Sequence, residues 1–380
     1  MIPLLKSYIF EKIIRLKKII VSVTNDLAGD QRVHRICLTL KEMGFDVLLT
    51  GRRLPSSLPL AERNYPTRRM RLLFRKGPHF YAEYNIRLLL FLLFNRFNLV
   101  LANDLDTLPA NFLAARIKRT PLVYDSHEFF TEVPELKGRI RIQRIWEWLE
   151  KKMVPRVDSA YTVCGSIAVI YSEKYHIPFE VVRNLPLPSV QPFSNLPGDE
   201  KPPVIIYQGA LNMGRGLEQA IRSMQYLPEA KLILAGGGDL ETYLHELVNR
   251  MHLSNVEFTG RLPLEKLEPL TRSAHLGISV EEDLGLNYRY ALPNKLFDYI
   301  RAQIPVVVSN LPEMEKVVTG YDIGMVTDSL DPEILASVFR QALGDEVLRG
   351  KWKVNLAKAA SELNWEKEKK VVKKIFRRFS

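Results

Sequence analysis

Strand-like apolar runs alternate with amphipathic helical stretches along nearly the whole chain, and this alternation limits the fold more than any other feature. In the first half "KKIIVSV", "DVLLTG", "LVLAN", "PLVYDS" and "SAYTVC" read as strands, with "RVHRICLTLKEMG" as a helix between the first two. Short apolar strands separated by helices point to parallel sheets, because a parallel crossover needs a helix and that helix then covers a face of the sheet. The pattern breaks at "NLPLPSVQPFSNLPGDEKPP", Asn184 to Pro203, where six prolines exclude regular structure. It then restarts with "VIIYQG", "KLILAGGG", "VEFTG", "LGISV" and "IPVVVS" as strands between helical segments. The expectation is α/β, two doubly wound Rossmann-like domains facing each other across a cleft: residues 1–185, a Pro-rich linker 186–203, residues 204–360, and a basic C-terminal helix 361–380 packing back on the first domain. At 380 residues the chain exceeds one typical core, which fits two domains.

The formal charge of +11, from 54 Lys and Arg against 43 Asp and Glu, favours an anionic partner: a phosphorylated small molecule, an acidic membrane surface or nucleic acid. No basic stripe combines with a nucleic-acid module, so nucleic acid is not expected. Cys37 and Cys164 stand far apart with no CxxC or Cys/His cluster, so neither a disulfide framework nor a zinc site is encoded, and a reducing cytoplasm fits. The N-terminal stretch mixes Lys, Glu and Arg into its apolar residues and reads as no secretion signal. The continuous apolar part of "RLLLFLLFNRF" is seven residues, too short to span a bilayer. Within "RRMRLLFRKGPHFYAEYNIRLLLFLLFNRF" basic residues interleave with Phe, Tyr and Leu, which suits either a peripheral membrane patch or a buried helix with a basic rim. The tail "WEKEKKVVKKIFRRFS" carries the same two readings, a helix packed on the protein or one lying on a membrane.

Three strand-to-helix turns in the second half are candidate anion sites, because unpaired N–H groups at a helix start favour negative charge. In "YQGALNMGRGLEQAI", Gly209, Gly214 and Gly216 allow close backbone approach and Arg215 offers a fork of donors that suits diphosphate oxygens; a tight turn with an exposed Arg is the structural alternative. In "LAGGGDLETYL", Asp239 would repel phosphate and serve as a cap, so a structural role is favoured. In "LPNKLFDYI", the helix start from Pro293 through Asn294, Lys295 and Leu296 is the third. Pro and Asn suit a helix start, but Lys is unfavourable beside the helix dipole, and a bound anion would relieve that conflict, with Asp298 one turn on placed to accept from a ribose.

The ordered series "VIIYQGALNMGRGLEQAI", "LILAGGGDLETYL", "VEFTGRLPLEKLEPL", "GISVEEDLGL" and "LPNKLFDYIRAQIPVVVS" resembles the retaining GT-B glycosyltransferases of the glycosyl transferases group 1 (glycogen synthase-like) superfamily. The first half resembles the acceptor domain of that family through "NDLAGDQRVHRICLTLKEMGFDVLL", "ANDLDTLPANFLAARIKRTPLVYDSHEFF" and "VVRNLP", so the likeness covers most of the chain. The resemblance implies that Arg215 and Lys295 hold a donor diphosphate, that Asp298 stands at the second acid of a Glu-x7-Glu motif and binds ribose, and that Gly260, Arg261 and Leu262 flank the base. It places His127, in "YDSHE", at the reaction centre near the acceptor, and Gly29 and Asp30 in the loop that approaches donor phosphate or acceptor. Three departures stand out. Ala210 replaces the usual basic residue after the loop glycine, and the second acid is Asp. Glu282 matches the acid-before-Gly pattern, but fifteen residues separate it from Asp298 where seven are usual; seven would select Tyr290. Asn287, Tyr288 and Tyr290 in this longer segment are expected to line the sugar pocket.

What the resemblance implies is a cytoplasmic glycosyltransferase, without a cofactor or metal, that moves a sugar from a nucleoside-diphosphate sugar to an acceptor hydroxyl in cell-surface polysaccharide or lipid-linked glycan synthesis. A peripheral association with the inner face of the membrane fits the charge. A GT-B epimerase or a non-catalytic nucleotide-sugar-binding protein is the alternative.

Overall fold

The computed structural model describes residues 16–55, 57, 59–133, 136, 138–189 and 202–380; most of the expected linker and most of the N-terminal stretch read for a signal lie outside the described residues. The first sheet is built from β1 (Lys18–Ser22), β2 (Asp46–Arg53), β3 (Thr67–Arg71), β4 (Leu99–Asn103), β5 (Leu122–Ser126), β6 (Ser159–Thr162) and β7 (Phe179–Val181). Their spatial order is β3-β2-β1-β4-β5-β6-β7, with Ile20 of β1 in register between Leu48 and Val100. The helices of this half are α1 (Gln31–Glu42), α2 (Gly77–Phe94), α3 (Leu108–Lys118), α4 (Ile140–Met153) and α5 (Gly165–Tyr175). The order reverses between β1 and β4, as in doubly wound folds.

The second sheet takes β8 (Val204–Gln208), β9 (Lys231–Ala235), β10 (Val256–Gly260), β11 (Leu276–Ser279), β12 (Val306–Ser309) and β13 (Gly324–Thr327) in the order β10-β9-β8-β11-β12-β13. The described pairs are parallel throughout. Around them lie α6 (Leu217–Ser223), α7 (Glu241–Arg250), α8 (Leu264–Arg272), the short α9 (Leu286–Arg289), α10 (Asn294–Ala302), α11 (Pro312–Tyr321), α12 (Pro332–Gly344), α13 (Glu346–Glu362) and α14 (Trp365–Phe376). The strands are apolar because they are covered on both faces: β11 and β12 are buried at every residue. Strand order reverses between β8 and β11, so the loops leaving those two strands flank the switch point, where open α/β sheets place ligands.

Two packing units divide the described residues: those up to Ala102 with Asp106–Val123 and Phe376–Ser380, and Asn103–Leu105 with those from Tyr124 to Ile375. In the smaller unit Ile19, Ile20 and Val21 are buried with Val47, Tyr84 and Leu88, and Phe376 meets Phe45 edge-on at 6.5 Å between ring centres. In the larger unit Val306, Val307 and Val308 join one core with Phe297, Tyr299, Phe339 and Trp352. There α14 is held by Glu368, whose carboxylate takes the Arg183 guanidinium at 2.8 Å, and by the Trp365 N–H on the Pro186 carbonyl. Val372, Ile375 and Phe376 are buried, so the apolar stripe of the tail is taken up inside the protein and is not available to a membrane.

Candidate functional site

At the C-terminal end of β8 the chain turns through Gly209 to Gly216 before α6, and three of those glycines have positive φ: 138° at Gly209, 77° at Gly214 and 64° at Gly216. A Cβ on Gly216 would lie 1.9 Å from the Val280 carbonyl oxygen, so the turn presses directly on the segment leaving β11. The Glu282 N–H donates to the Gly214 carbonyl at 3.0 Å and the Tyr288 hydroxyl to the Met213 carbonyl at 2.9 Å, which fixes the two loops to each other. Arg215 is carried at the tip of this turn, its guanidinium 5.6 Å from the centre of the Tyr288 ring.

Arg215 and Lys295 converge. Both reach one oxygen, Oε1 of Glu281: Lys295 Nζ at 2.7 Å and Arg215 Nη1 at 3.7 Å. Ser279 Oγ donates to the other carboxylate oxygen at 2.7 Å. Lys295 Nζ also lies 4.2 Å from the centre of the Tyr207 ring, a cation–π contact. The Glu281 side chain is fully buried and that of Lys295 8% exposed, whereas Arg215 is 31% exposed. Burial alone would raise the Glu281 carboxyl; the Lys295 charge and hydrogen bond, then Arg215 and Ser279, outweigh it and hold the group below the ordinary glutamate range. One carboxylate thus faces two cations, which leaves a local excess of one positive charge on the open, Arg215 side.

This geometry answers why Lys295 is tolerated at a helix start. Its side chain turns inward, and the anion that relieves the dipole conflict is the chain's own Glu281. Sequence reasoning singled out Glu282 through the acid-before-Gly pattern and passed over Glu281; in the structure Glu282 is half-buried at the loop surface, and its neighbour holds the cations. The signal that could have found Glu281 was the need of Lys295 for a counter-charge.

Other expected residues fall in different surroundings. Leu296 faces the core rather than a ligand: its side chain is fully buried in the apolar cluster and its N–H donates to the Pro293 carbonyl at 3.2 Å, so its placement in the donor site is corrected. Asp298 accepts from Gln208 Nε2 at 3.0 Å, and Gln208 in turn accepts from Thr271 Oγ1 at 2.6 Å. These three line a small depression with Leu264, Glu268 and Arg301. Asn294 Oδ1 accepts from Asn184 at 2.7 Å. Gly260 ends β10 with φ 65°, and Arg261 lies over Gly237, whose added Cβ would meet its Nε at 3.0 Å. The run Gly236–Gly238 serves close packing: a Cβ on Gly236 would lie 1.8 Å from the Gly209 carbonyl oxygen.

His127 follows β5 and is held on three sides. Its N–H donates to Asp104 Oδ1 at 2.7 Å, Nδ1 lies 3.2 Å from Asp104 Oδ2 and Nε2 3.1 Å from Asp125 Oδ2. Asp104 adopts φ 59°, a left-handed conformation that Asp tolerates better than most residues. The next two residues contact the segment before α10: Asn287 donates to Glu128 Oε2 at 3.2 Å and accepts from the Phe129 N–H at 3.0 Å. Asn287 is therefore a structural link between the His127 turn and the Glu281 segment, both within the larger unit. Tyr290 belongs to the same junction, its carbonyl accepting from Cys164 Sγ at 3.4 Å. In the smaller unit Asp30 caps α1 by accepting from the Val33 N–H at 2.9 Å and also accepts from Asn25; Gly29 precedes it with open space around its Cα.

Known proteins share this arrangement of elements. The Glycosyl transferases group 1 family matches residues 193–359, and Glycosyltransferase Family 4 matches residues 30–186. One glycosyltransferase family thus matches each half of a chain made of two Rossmann-like sheets, the GT-B arrangement. Among individual proteins, an uncharacterized glycosyltransferase of Methanocaldococcus jannaschii is 29% identical over 153 residues, 39% of this chain and 37% of its own length, so the match spans little more than a third of that curated relative. Sucrose-phosphate synthase from Thermosynechococcus elongatus superposes with a TM-score of 0.73 at 17% identity, over 95% of this chain and 98% of that one. HepE of Anabaena, in complex with UDP-glucose, gives 0.72 at 14% identity over 95% and 100%. At these identities the structural likeness is one of fold.

Proposed function

We propose that the protein transfers a sugar from a nucleoside-diphosphate sugar to an acceptor hydroxyl, with retention at the anomeric carbon. The observation that carries this reading is the convergence of Arg215 and Lys295 on one point beside the glycine turn at the switch point of the second sheet. A diphosphate entering there meets an excess of positive charge, a flexible guanidinium able to leave a 3.7 Å contact for a bidentate one, and a lysine already desolvated and fixed. The fold neighbour that holds UDP-glucose supports a nucleotide sugar as donor.

In the proposed reaction the bond from the anomeric carbon to the diphosphate oxygen breaks while the acceptor oxygen bonds to the same face. The acceptor proton passes to the departing diphosphate. Negative charge grows on the leaving group, and Arg215 and Lys295, preorganised by Glu281, stabilise it more in the transition state than in the ground state. These two cations take the charge-neutralising part, so the reaction as proposed needs no metal. His127, held by Asp104 and Asp125, orders its turn, and its proposed place is at the reaction centre near the acceptor. Asp298, partly engaged by Gln208, is the proposed ribose acceptor, and Arg261 flanks the base. The acceptor proposed is a glycan or lipid-linked glycan.

The test is thermal unfolding against a panel of UDP-, GDP- and CMP-sugars, followed by transfer assays with the donor that stabilises. Donor stabilisation that is lost in Arg215→Ala supports the reading. If no nucleotide sugar stabilises the protein, or stabilisation survives in Arg215→Ala, the site is misplaced. Donor binding without transfer across a broad acceptor panel would instead favour a binding protein, and conversion of donor without acceptor an epimerase.

A further inference from the structure

On the smaller unit, α2 turns a row of large apolar side chains to solvent at four-residue spacing: Ile86, Leu90 and Phe94, the last 86% exposed. The neighbouring α3 does the same with Leu113 and Ile117. The two helices lie side by side and run in the same direction. Asn85 of α2 donates to the Asp106 carbonyl at 2.8 Å and accepts from the Ala110 N–H at 3.0 Å, next to the start of α3, while Lys118 at the end of α3 donates to the Asn95 carbonyl just past α2. The second halves of these neighbouring helices thus expose five large apolar side chains, more than scattered surface residues would place there.

The rim of this face is cationic. Arg96, Arg116 and Arg119 are exposed on or just beyond these helices, as is Arg87, whose charge Glu83 pairs. Between Tyr84 and Pro121 the only acids are Asp104 and Asp106, both before the first turn of α3 and so at the other end of the face. Glu83, one turn before the row, is already held by Arg87 at 2.8 Å and by the Leu73 and Phe74 N–H groups. A second copy of the same face would set arginines against arginines, and a nucleic acid would leave the Ile, Leu and Phe side chains without a partner. A surface that offers both anionic groups and hydrocarbon satisfies both parts of the face. Among the described residues no helix is long and apolar enough to cross a membrane, so such a contact would lie along the surface.

We propose that the α2–α3 face docks on an anionic lipid bilayer, with Phe94, Leu90 and Ile117 entering the headgroup region and the arginines on lipid phosphates. This assignment stands independently of the donor site. Residues of α4 form the competing face, since Ile145 and Trp148 are exposed there beside Arg144 and Lys151, but only a single helix contributes and Glu147 lies between the two apolar residues.

The experiment is flotation of the full chain with vesicles of phosphatidylcholine alone or mixed equally with phosphatidylglycerol, at low and high salt. The expected result is binding to the mixed vesicles only, reduced by high salt, and lowered on the order of 10-fold or more in Leu90→Gln/Phe94→Gln, a pair of exposed positions whose replacement is checked for unchanged thermal unfolding. A second measurement labels Phe94→Cys with an environment-sensitive fluorophore; Cys37 and Cys164 are buried, so label goes to position 94. A blue shift on mixed vesicles is expected. The proposal is overturned by any of four outcomes: no flotation at low salt, unchanged flotation of the double variant with loss in Trp148→Glu, no fluorophore shift on bound vesicles, or self-association through this face shown by dimers that the double variant abolishes.

Discussion

Replacing Glu281 by Gln keeps the shape of the side chain and removes its charge. The ammonium of Lys295 is 8% exposed and would lose its carboxylate at 2.7 Å while remaining next to the Tyr207 ring. Uncoupling one member of a buried pair leaves an uncompensated buried charge, which costs about 3–5 kcal/mol. Arg215 adds little, because at 3.7 Å and with solvent access its contact belongs to the range worth up to about 1 kcal/mol. For a domain of this size each kcal/mol lowers the melting temperature by roughly 2–4 °C, so Glu281→Gln is expected to melt roughly 6–20 °C below wild type. The assay is thermal unfolding followed by circular dichroism, with and without saturating nucleoside diphosphate. Two cations without their internal counter-charge should welcome a diphosphate, so the ligand should raise the melting temperature of the variant more than that of wild type. A second change, Lys295→Met on the Glu281→Gln background, should recover much of the loss, since the stranded charge is gone. If Glu281→Gln melts with wild type, or if the diphosphate shifts both proteins equally, Lys295, Glu281 and Arg215 are not coupled and the electrostatic reading of the site fails.

The same trio makes a pH prediction. The folded Glu281 carboxyl lies below its unfolded value, so its stabilisation is complete above the ordinary glutamate range and is lost as pH falls through the folded value; the stability gap between wild type and Glu281→Gln should be constant from neutral pH down to about pH 5 and close below about pH 4, as read by urea unfolding. Lys295→Ala should lower turnover about 10²-fold or more in a transfer assay, as expected for loss of a strong transition-state donor; wild-type turnover would refute its role. Arg215→Lys should weaken donor binding by about 10-fold or more by calorimetry, because a point charge does not replace a guanidinium fork. Transfer should survive a chelator, and loss of activity that added metal restores would overturn the metal-free reaction.

Much of the fold was legible because the strands of a parallel sheet covered on both faces carry unbroken apolar runs. Two strands escaped notice, both at the edges of the first sheet: β7 is only three residues long, and β3, TRRMR, has Met70 as its one buried residue, so no long apolar run announces either. In the site, glycine spacing and an ill-placed lysine marked the Arg215 and Lys295 turns one by one, and the family resemblance is what joined them at a single point. The acid between them was not, because Glu281 and Glu282 are adjacent and chemically identical, and only the direction in which the chain leaves β11 decides which one faces inward. Leu296 was misplaced for the opposite reason: with Phe297 and Ile300 it forms the apolar side of α10, a periodicity that outranks its closeness to Lys295 in the sequence.

The close approach of Gly236 to the Gly209 carbonyl has a mechanical consequence. Two turns separated along the sequence by all of α6 and β9 are pressed together, with no room for a methyl group at their seam. A side chain introduced at Gly236 would be felt some distance away, as a tilt of the arginine-bearing turn, and would register as weakened ligand affinity at a residue that touches no ligand.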